Sequence, residues 1–264
     1  GVENVAMGLV AGHTGHVVVR DLRDRGVTTN FIWTRGETRT NVTILEKGWE
    51  YIPVFIDEAG SPVSASEIDR FLRRYRQMLK RASWVVLGGS LRPGIDPSLC
   101  RDLVEMASQA GAKVILSTGG DALAEGIKGA PYLVKPDTRD QRKLMGIQLT
   151  TRDAIIEAGR KIVAAGAKVV VISHEVTGDI AVTSEGTIWE IKAEVPSTRL
   201  KNLIGADDVF LAGILYKLSE GKPLEEALRF GLAAGLLSAE SEDKIVGELE
   251  DIEREAEKVT VERI

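Results

Sequence analysis

The chain has 264 residues, a mass of 28.6 kDa and 44% hydrophobic side chains, enough to bury the core of one large α/β domain. With 28% charged residues and a mean hydropathy of -0.02, global disorder is excluded. A formal charge of -5 and a pI near 5.5 lack the basic footprint of a general nucleic-acid binder.

The acidity is local. Positions 240–264 hold ten acidic and four basic residues, a net of -6, so the remainder is close to neutral at about +1. Cys100 is the single cysteine, which rules out an intramolecular disulfide and fits a cytoplasmic setting. No apolar run approaches the roughly 20 residues that span a bilayer, so no membrane partner is expected.

Gly1-Val2-Glu3-Asn4 leads, without an initiator Met, into an apolar stretch at 5–10 that reads as a buried strand entered from a turn. Segment 14–25 has helical spacing, with Val17, Val18 and Leu22 expected to face the core and Arg20, Asp21, Arg23 and Asp24 the solvent. Gly26 ends it. Strands are expected at 31–33, 39–45 and 49–56, with Pro53 favouring an edge, so 28–57 reads as a small sheet or lid.

After Ser66 the pattern changes. Helices are expected at 67–81, 97–109 and 151–165, and short apolar strands at 84–87, 113–116, 132–134 and 168–172. Strands and helices in alternation, with uniformly apolar strands, predict a parallel sheet covered on both faces. A hairpin at 177–191 turns at Ser184-Glu185-Gly186, and apolar helices follow at 208–218 and 224–239. The acidic tail at 240–264 closes a single domain with a helix at 243–254 and a strand at 260–264.

Gly205-Ala206-Asp207-Asp208 is the strongest local motif. Small residues before an apolar helix expose backbone N–H groups that favour an anion, and a carboxylate there takes a proton from a nearby hydroxyl. An Asp at a helix start is equally an ordinary N-cap. On a strand, Arg39 and Asn41 share one face, Arg39 with a planar fork suited to phosphate and Asn41 able to bond a hydroxyl; a solvated strand face explains them as well.

Gly88-Gly89-Ser90-Leu91-Arg92 ends a buried strand, where open α/β sheets bind ligands, although a plain turn accounts for the spacing too. Asp137 and Asp140, after Lys135-Pro136, sit at an expected helix start with the oxygen donors Mg²⁺ prefers, or simply cap that helix. Ser173 to Gly178 ends another core strand. His13, His16 and His174 lack the spacing of a structural zinc site. Neither the P-loop signature nor the G-x-S-x-G elbow occurs.

In this order the segments resemble the PfkB/ribokinase family of carbohydrate kinases, in particular its 1-phosphofructokinase and tagatose-6-phosphate kinase branch. The resemblance runs through Gly12-His13-Thr14-Gly15, Gly36-Glu37-Thr38-Arg39-Thr40-Asn41, Gly89 to Gly94, Lys135-Pro136-Asp137, Ser173 to Gly178 and Gly205 to Asp208. It implies a ribokinase-like three-layer α/β/α sandwich with a small β-sheet lid, using ATP and Mg²⁺ to phosphorylate a phosphosugar. Asp208 matches the catalytic base, and Gly205, Ala206 and Asp207 match the anion hole. Arg39, Asn41, Ser90 and Arg92 match the phosphosugar side. Lys135, Ser173 and Gly178 match the nucleotide side, with Asp137 and Asp140 toward Mg²⁺. Many members of the family pair through lid strands, and Phe31, Trp33, Trp49, Tyr51 and Phe55 would supply apolar contact for such a homodimer or instead cover the core within one subunit.

The departures are specific. Asp207 stands where the family has glycine, an extra carboxylate beside the anion hole for Mg²⁺ or Lys201 to compensate. Asp137-Thr138-Arg139-Asp140 replaces N-x-x-E, Ser117 to Gly120 replaces D-T-S-G, and Glu175 replaces a glycine. The family's first core strand, with its sugar-binding Asp, and its G-G-K-G-x-N helix start have no counterpart here, which is expected to expose neighbouring backbone groups. Two other readings stay open: a non-catalytic relative that binds phosphosugar or nucleotide, and a plain-sugar or nucleoside kinase.

Overall fold

The computed structural model describes residues 2–44, 54–138, 142–175, 177–196, 199–242 and 247–264. The front comprises β1 (Val5–Ala6), β2 (Leu9–Val10), α1 (Gly12–Asp24), β3 (Thr28–Thr29), β4 (Ile32–Trp33), β5 (Val42–Ile44) and β6 (Val54–Ile56). Next come α2 (Ala65–Leu79), β7 (Trp84–Gly88), α3 (Ser98–Gln109), β8 (Lys113–Ser117), α4 (Gly120–Lys128) and β9 (Leu133–Val134). They are followed by β10 (Lys143–Leu144), β11 (Ile147–Gln148), α5 (Arg152–Ala164), β12 (Val169–Glu175), β13 (Gly178–Thr183) and β14 (Ile188–Ala193). The chain closes with α6 (Ala206–Ser219), α7 (Leu224–Glu240), α8 (Leu249–Ala256) and β15 (Val259–Arg263).

The central sheet has the order β15-β14-β13-β12-β9-β8-β7. Its β7–β8–β9–β12 half is parallel, and β12 through β15 are antiparallel. The expected parallel sheet is therefore only half of it, because the short β12–β13 and β13–β14 connections can join only antiparallel neighbours. Period-two alternation along the strands builds the layers. Ile115, Leu133, Val169 and Val171 pack toward α6, α7 and α8, while Leu116, Val134, Val170 and Ile172 pack toward α4 and α5. The result is a three-layer α/β/α sandwich.

The stretch expected as one strand at 5–10 splits into β1 and β2, each parallel to a strand after α1. Amide N–H groups of Asn30, Ile32 and Thr34 donate to the carbonyls of Ala6, Gly8 and Val10 at 2.8, 2.9 and 2.8 Å, so the ladder is continuous across Gly8. β2 and β7 flank a cavity of about 390 Å³ and are not paired with each other. β7 is the edge of the main sheet and Val86 is 50% exposed, where a buried strand was expected.

Besides the short β3, the helix α4 and the β10–β11 hairpin escaped the sequence reading. The glycine-rich segment after Ser117 forms α4, whose Leu123 and Ile127 reach the core. Gly126 weakens this helix by propensity, yet a Cβ there would lie 2.7 Å from Leu116 Cδ2, so close packing requires it. Beyond Asp137 the described chain leads into the β10–β11 hairpin, not a helix. Met145 and Gly146 both take positive φ, 51° and 79°, the backbone of a two-residue hairpin turn; Met is a poor advertisement for it. Among the described residues no helix is long and apolar enough to cross a membrane.

β5 and β6 pair as an antiparallel hairpin in which Val42, Ile44, Val54, Phe55 and Ile56 are all exposed. The expected strand positions at 45 and 49–53, including Trp49 and Tyr51, lie outside the described residues, as do 243–246 of the expected last helix.

Candidate active site

The G-E-T-R-T-N segment does not form the expected strand at Arg39 to Asn41; β5 begins only at Val42. Its backbone bonds to α1 and to side chains instead of to a neighbouring strand. Glu37 Oε1 accepts the Thr14 amide at 2.5 Å in the first turn of α1, which holds its carboxyl below the usual range. Thr38 Oγ1 accepts the Ala11 amide at 2.8 Å and donates to the Ala11 carbonyl at 3.1 Å. Thr40 N–H donates to Glu58 Oε2 at 2.8 Å. These bonds fix a corner from which Arg39 reaches 51 positions along the chain and donates to Ser90 Oγ at 2.7 Å.

Glu67 braces the same corner from α2. Its carboxylate accepts the Ser64 amide and hydroxyl at 2.8 and 2.7 Å and the Arg35 amide at 2.9 Å. Those donors, Ser64 first, lower its pKa to about 2 from 4.5. A folded value below the unfolded one gives stability that is present above pH 4.5 and is lost as pH falls toward 2. Acid unfolding of Glu67→Gln, followed by circular dichroism, should therefore show a shallower slope between these limits than the parent; equal slopes would show that the carboxylate does not act.

Ser90 follows β7 and lines the cavity with Thr38, Arg39, Arg92 and Thr118 and with the apolar Phe71 and Leu103. Thr118 Oγ1 donates to the Gly89 carbonyl at 2.7 Å, tying the ends of β7 and β8 together. Arg92 is engaged within the protein: Nε and Nη2 donate to the Ser61 carbonyl at 3.0 and 2.7 Å, and Nη1 to Thr34 Oγ1 at 3.2 Å. Asn41 is exposed, just ahead of β5. Asp137 is exposed after β9 and its amide donates to the Thr118 carbonyl at 3.0 Å, while Asp140 lies outside the described residues.

A buried charge cluster sits where β9, β12, β13 and α6 meet. Lys135 is 2% exposed, and its Nζ lies 2.5 Å from Ser173 Oγ, 3.0 Å from Asp179 Oδ1 and 3.2 Å from Asp207 Oδ1, with the Phe210 ring centroid at 5.4 Å. Burial alone would drive the lysine's proton off, but the two carboxylates outweigh it and raise the pKa. Lys201 is thus not the partner of Asp207. Sequence reading passed over Asp179; a lone acid in the otherwise apolar run of β13 was the available signal. Gly178 opens β13 beside it, while the Glu175 side chain and Val176 lie outside the described residues.

The cap of α6 is Gly205, at φ 75° in the left-handed region that suits glycine, and not Asp208. Asp207 and Asp208 occupy the first turn. Ala206 N–H donates to the Leu203 carbonyl at 3.1 Å and so is turned from the helix mouth. Asn202 Oδ1 accepts the Ile204 amide at 3.0 Å, shaping the approach. Asp207 and Asp208 are both exposed.

Among the described residues no group of three or more His, Cys, Asp or Glu forms a ready-made metal cage. Asp137, an exposed carboxylate, still fits Mg²⁺, which binds through few carboxylates and completes its shell with water and phosphate.

A family model described as pfkB family carbohydrate kinase matches residues 1–250. The 1-phosphofructokinase of Bacillus subtilis is 32% identical over 242 residues, covering 92% of this chain and 77% of the relative. The ATP-dependent 6-phosphofructokinase isozyme 2 of Escherichia coli is 32% identical over 230 residues, 85% of this chain and 72% of the relative. The structure of a possible 1-phosphofructokinase from Thermotoga maritima superposes with a TM-score of 0.91 at 33% identity, covering 100% of this chain and 83% of the other. Phosphofructokinase-2 from E. coli, in complex with fructose-6-phosphate, gives 0.79 at 27% identity, covering 96% and 80%. The chain belongs to the pfkB family of carbohydrate kinases.

Proposed function

We propose that this chain transfers the terminal phosphate of ATP to a hydroxyl of a phosphosugar. The observation that carries the reading is Arg39 held against Ser90 in the cavity wall, a guanidinium and a hydroxyl suited to a phosphate already on the acceptor. Asn41 orients the sugar. Arg92 supports that subsite by holding Ser61 and Thr34 in place.

Asp208 accepts the proton of the attacking hydroxyl. Backbone donors at the start of α6, contributed by Gly205 and Asp207, and the positive end of the helix dipole stabilise charge on the transferring group. On the nucleotide side, Lys135, Ser173 and Gly178 line the ends of the strands. Asp137 holds Mg²⁺ through water or directly, and when bound the ion neutralises phosphate charge.

The test is ADP release from Mg-ATP with fructose 1-phosphate, fructose 6-phosphate, tagatose 6-phosphate, ribose and adenosine. Turnover on a phosphorylated acceptor is expected. Arg39→Ala should raise the KM for that acceptor about 10-fold or more, the value of a lost charge-assisted hydrogen bond, with the KM for ATP unchanged. Turnover on ribose or adenosine alone would replace the acceptor class, and ligand binding with no ADP would favour a non-catalytic binder. The exposed apolar β5–β6 hairpin supports pairing of two copies through these strands. Sedimentation of Phe55→Glu against the parent tests it: a parent that is already monomeric removes the idea.

A further inference from the structure

We propose that Asp207 is a built-in competitor for the nucleotide's terminal phosphate: its carboxylate holds the Lys135 position that the phosphate takes when it displaces it. This rests on the kinase reading above. A lysine ammonium has three N–H donors, and here Ser173, Asp179 and Asp207 supply three acceptors at 2.5, 3.0 and 3.2 Å. Lys135 as found therefore has no donor left for a ligand.

The three partners differ in one respect that decides which of them yields. Asp179 is 8% exposed on a central strand, and withdrawing it would strand a buried charge. Ser173 is part of β12 and itself hydrogen-bonds Asp179 at 3.2 Å. The Asp207 side chain is 58% exposed in the first turn of α6, so it rotates into water and regains its hydration at little cost.

Charge reinforces the choice. With Asp207 in place, Lys135 faces two carboxylates and the three groups carry a net -1. With Asp207 turned away, Lys135 and Asp179 balance, and the helix start presents a positive dipole end. Only then does the corner favour an anionic oxygen. Asp207 thus lowers nucleotide affinity without touching the phosphosugar subsite at Arg39 and Ser90.

Calorimetric titration with Mg-AMP-PNP, a triphosphate that does not transfer, reads this directly on the parent, Asp207→Asn and Asp207→Ala. Both variants should bind about 10-fold tighter, the factor lost with one charge-assisted bond, and adenosine should bind all three alike. In steady state the KM for ATP should fall while the KM for the phosphosugar holds, a split that a loosened fold would not produce. Unchanged binding overturns the proposal. Weaker binding that appears only with Mg²⁺ present also overturns it and makes Asp207 a metal ligand. Absence of AMP-PNP binding in all three proteins would sink the kinase reading as well, whereas a parent that binds and variants that gain nothing sink the competitor alone.

Discussion

Asp208→Asn is expected to lower kcat by about 10²–10⁴-fold, the range for loss of a positioned general base. The amide keeps the size of the carboxylate and its place in the first turn of α6, so the fold and both KM values should hold. It removes the negative charge and, with it, the ability to accept a proton. Coupled ADP assay with the preferred phosphosugar measures the loss, and calorimetry with Mg-AMP-PNP confirms that the variant still binds. Retained turnover would shift the base to another carboxylate, and a KM rise with kcat intact would make Asp208 a binding group.

The second large effect is on stability. Lys135→Met is expected to cost about 3–5 kcal/mol, because it leaves the buried Asp179 carboxylate without its cation. Methionine fills the same space, so the loss measures charge more than volume. The double replacement Lys135→Met with Asp179→Leu should lose less than the single one, since an apolar pair restores a consistent interior. Urea unfolding of the parent and the variants gives both numbers. A loss below about 1 kcal/mol, the worth of an exposed pair, would show that water reaches Nζ in solution.

Much of the sandwich was legible in the sequence because its strands and helices carry strong local periods. Val169 to Ile172 alternates between two helical layers, and the 184–186 turn announces the β13–β14 hairpin. Misread elements had their conformation set from outside. α4 is a helix because Leu123 and Ile127 reach a core that its glycines do not advertise. The corner at Arg39 is irregular because Glu37, Thr38 and Thr40 bond to partners far away in the chain.

The same division runs through the candidate site. Sequence alone placed Asp208 at the start of an apolar helix, Ser90 after a core strand and Arg39 in a polar motif, because each depends on neighbours a few positions away. It could not assign Arg92 to Ser61 and Thr34, or join Lys135 to Asp179 and Asp207, which lie 44 and 72 positions further on. Those choices depend on which donors and acceptors share a buried volume, where an unpaired charge is costly. Local order fixes which groups are offered; desolvation within the folded chain decides which of them meet.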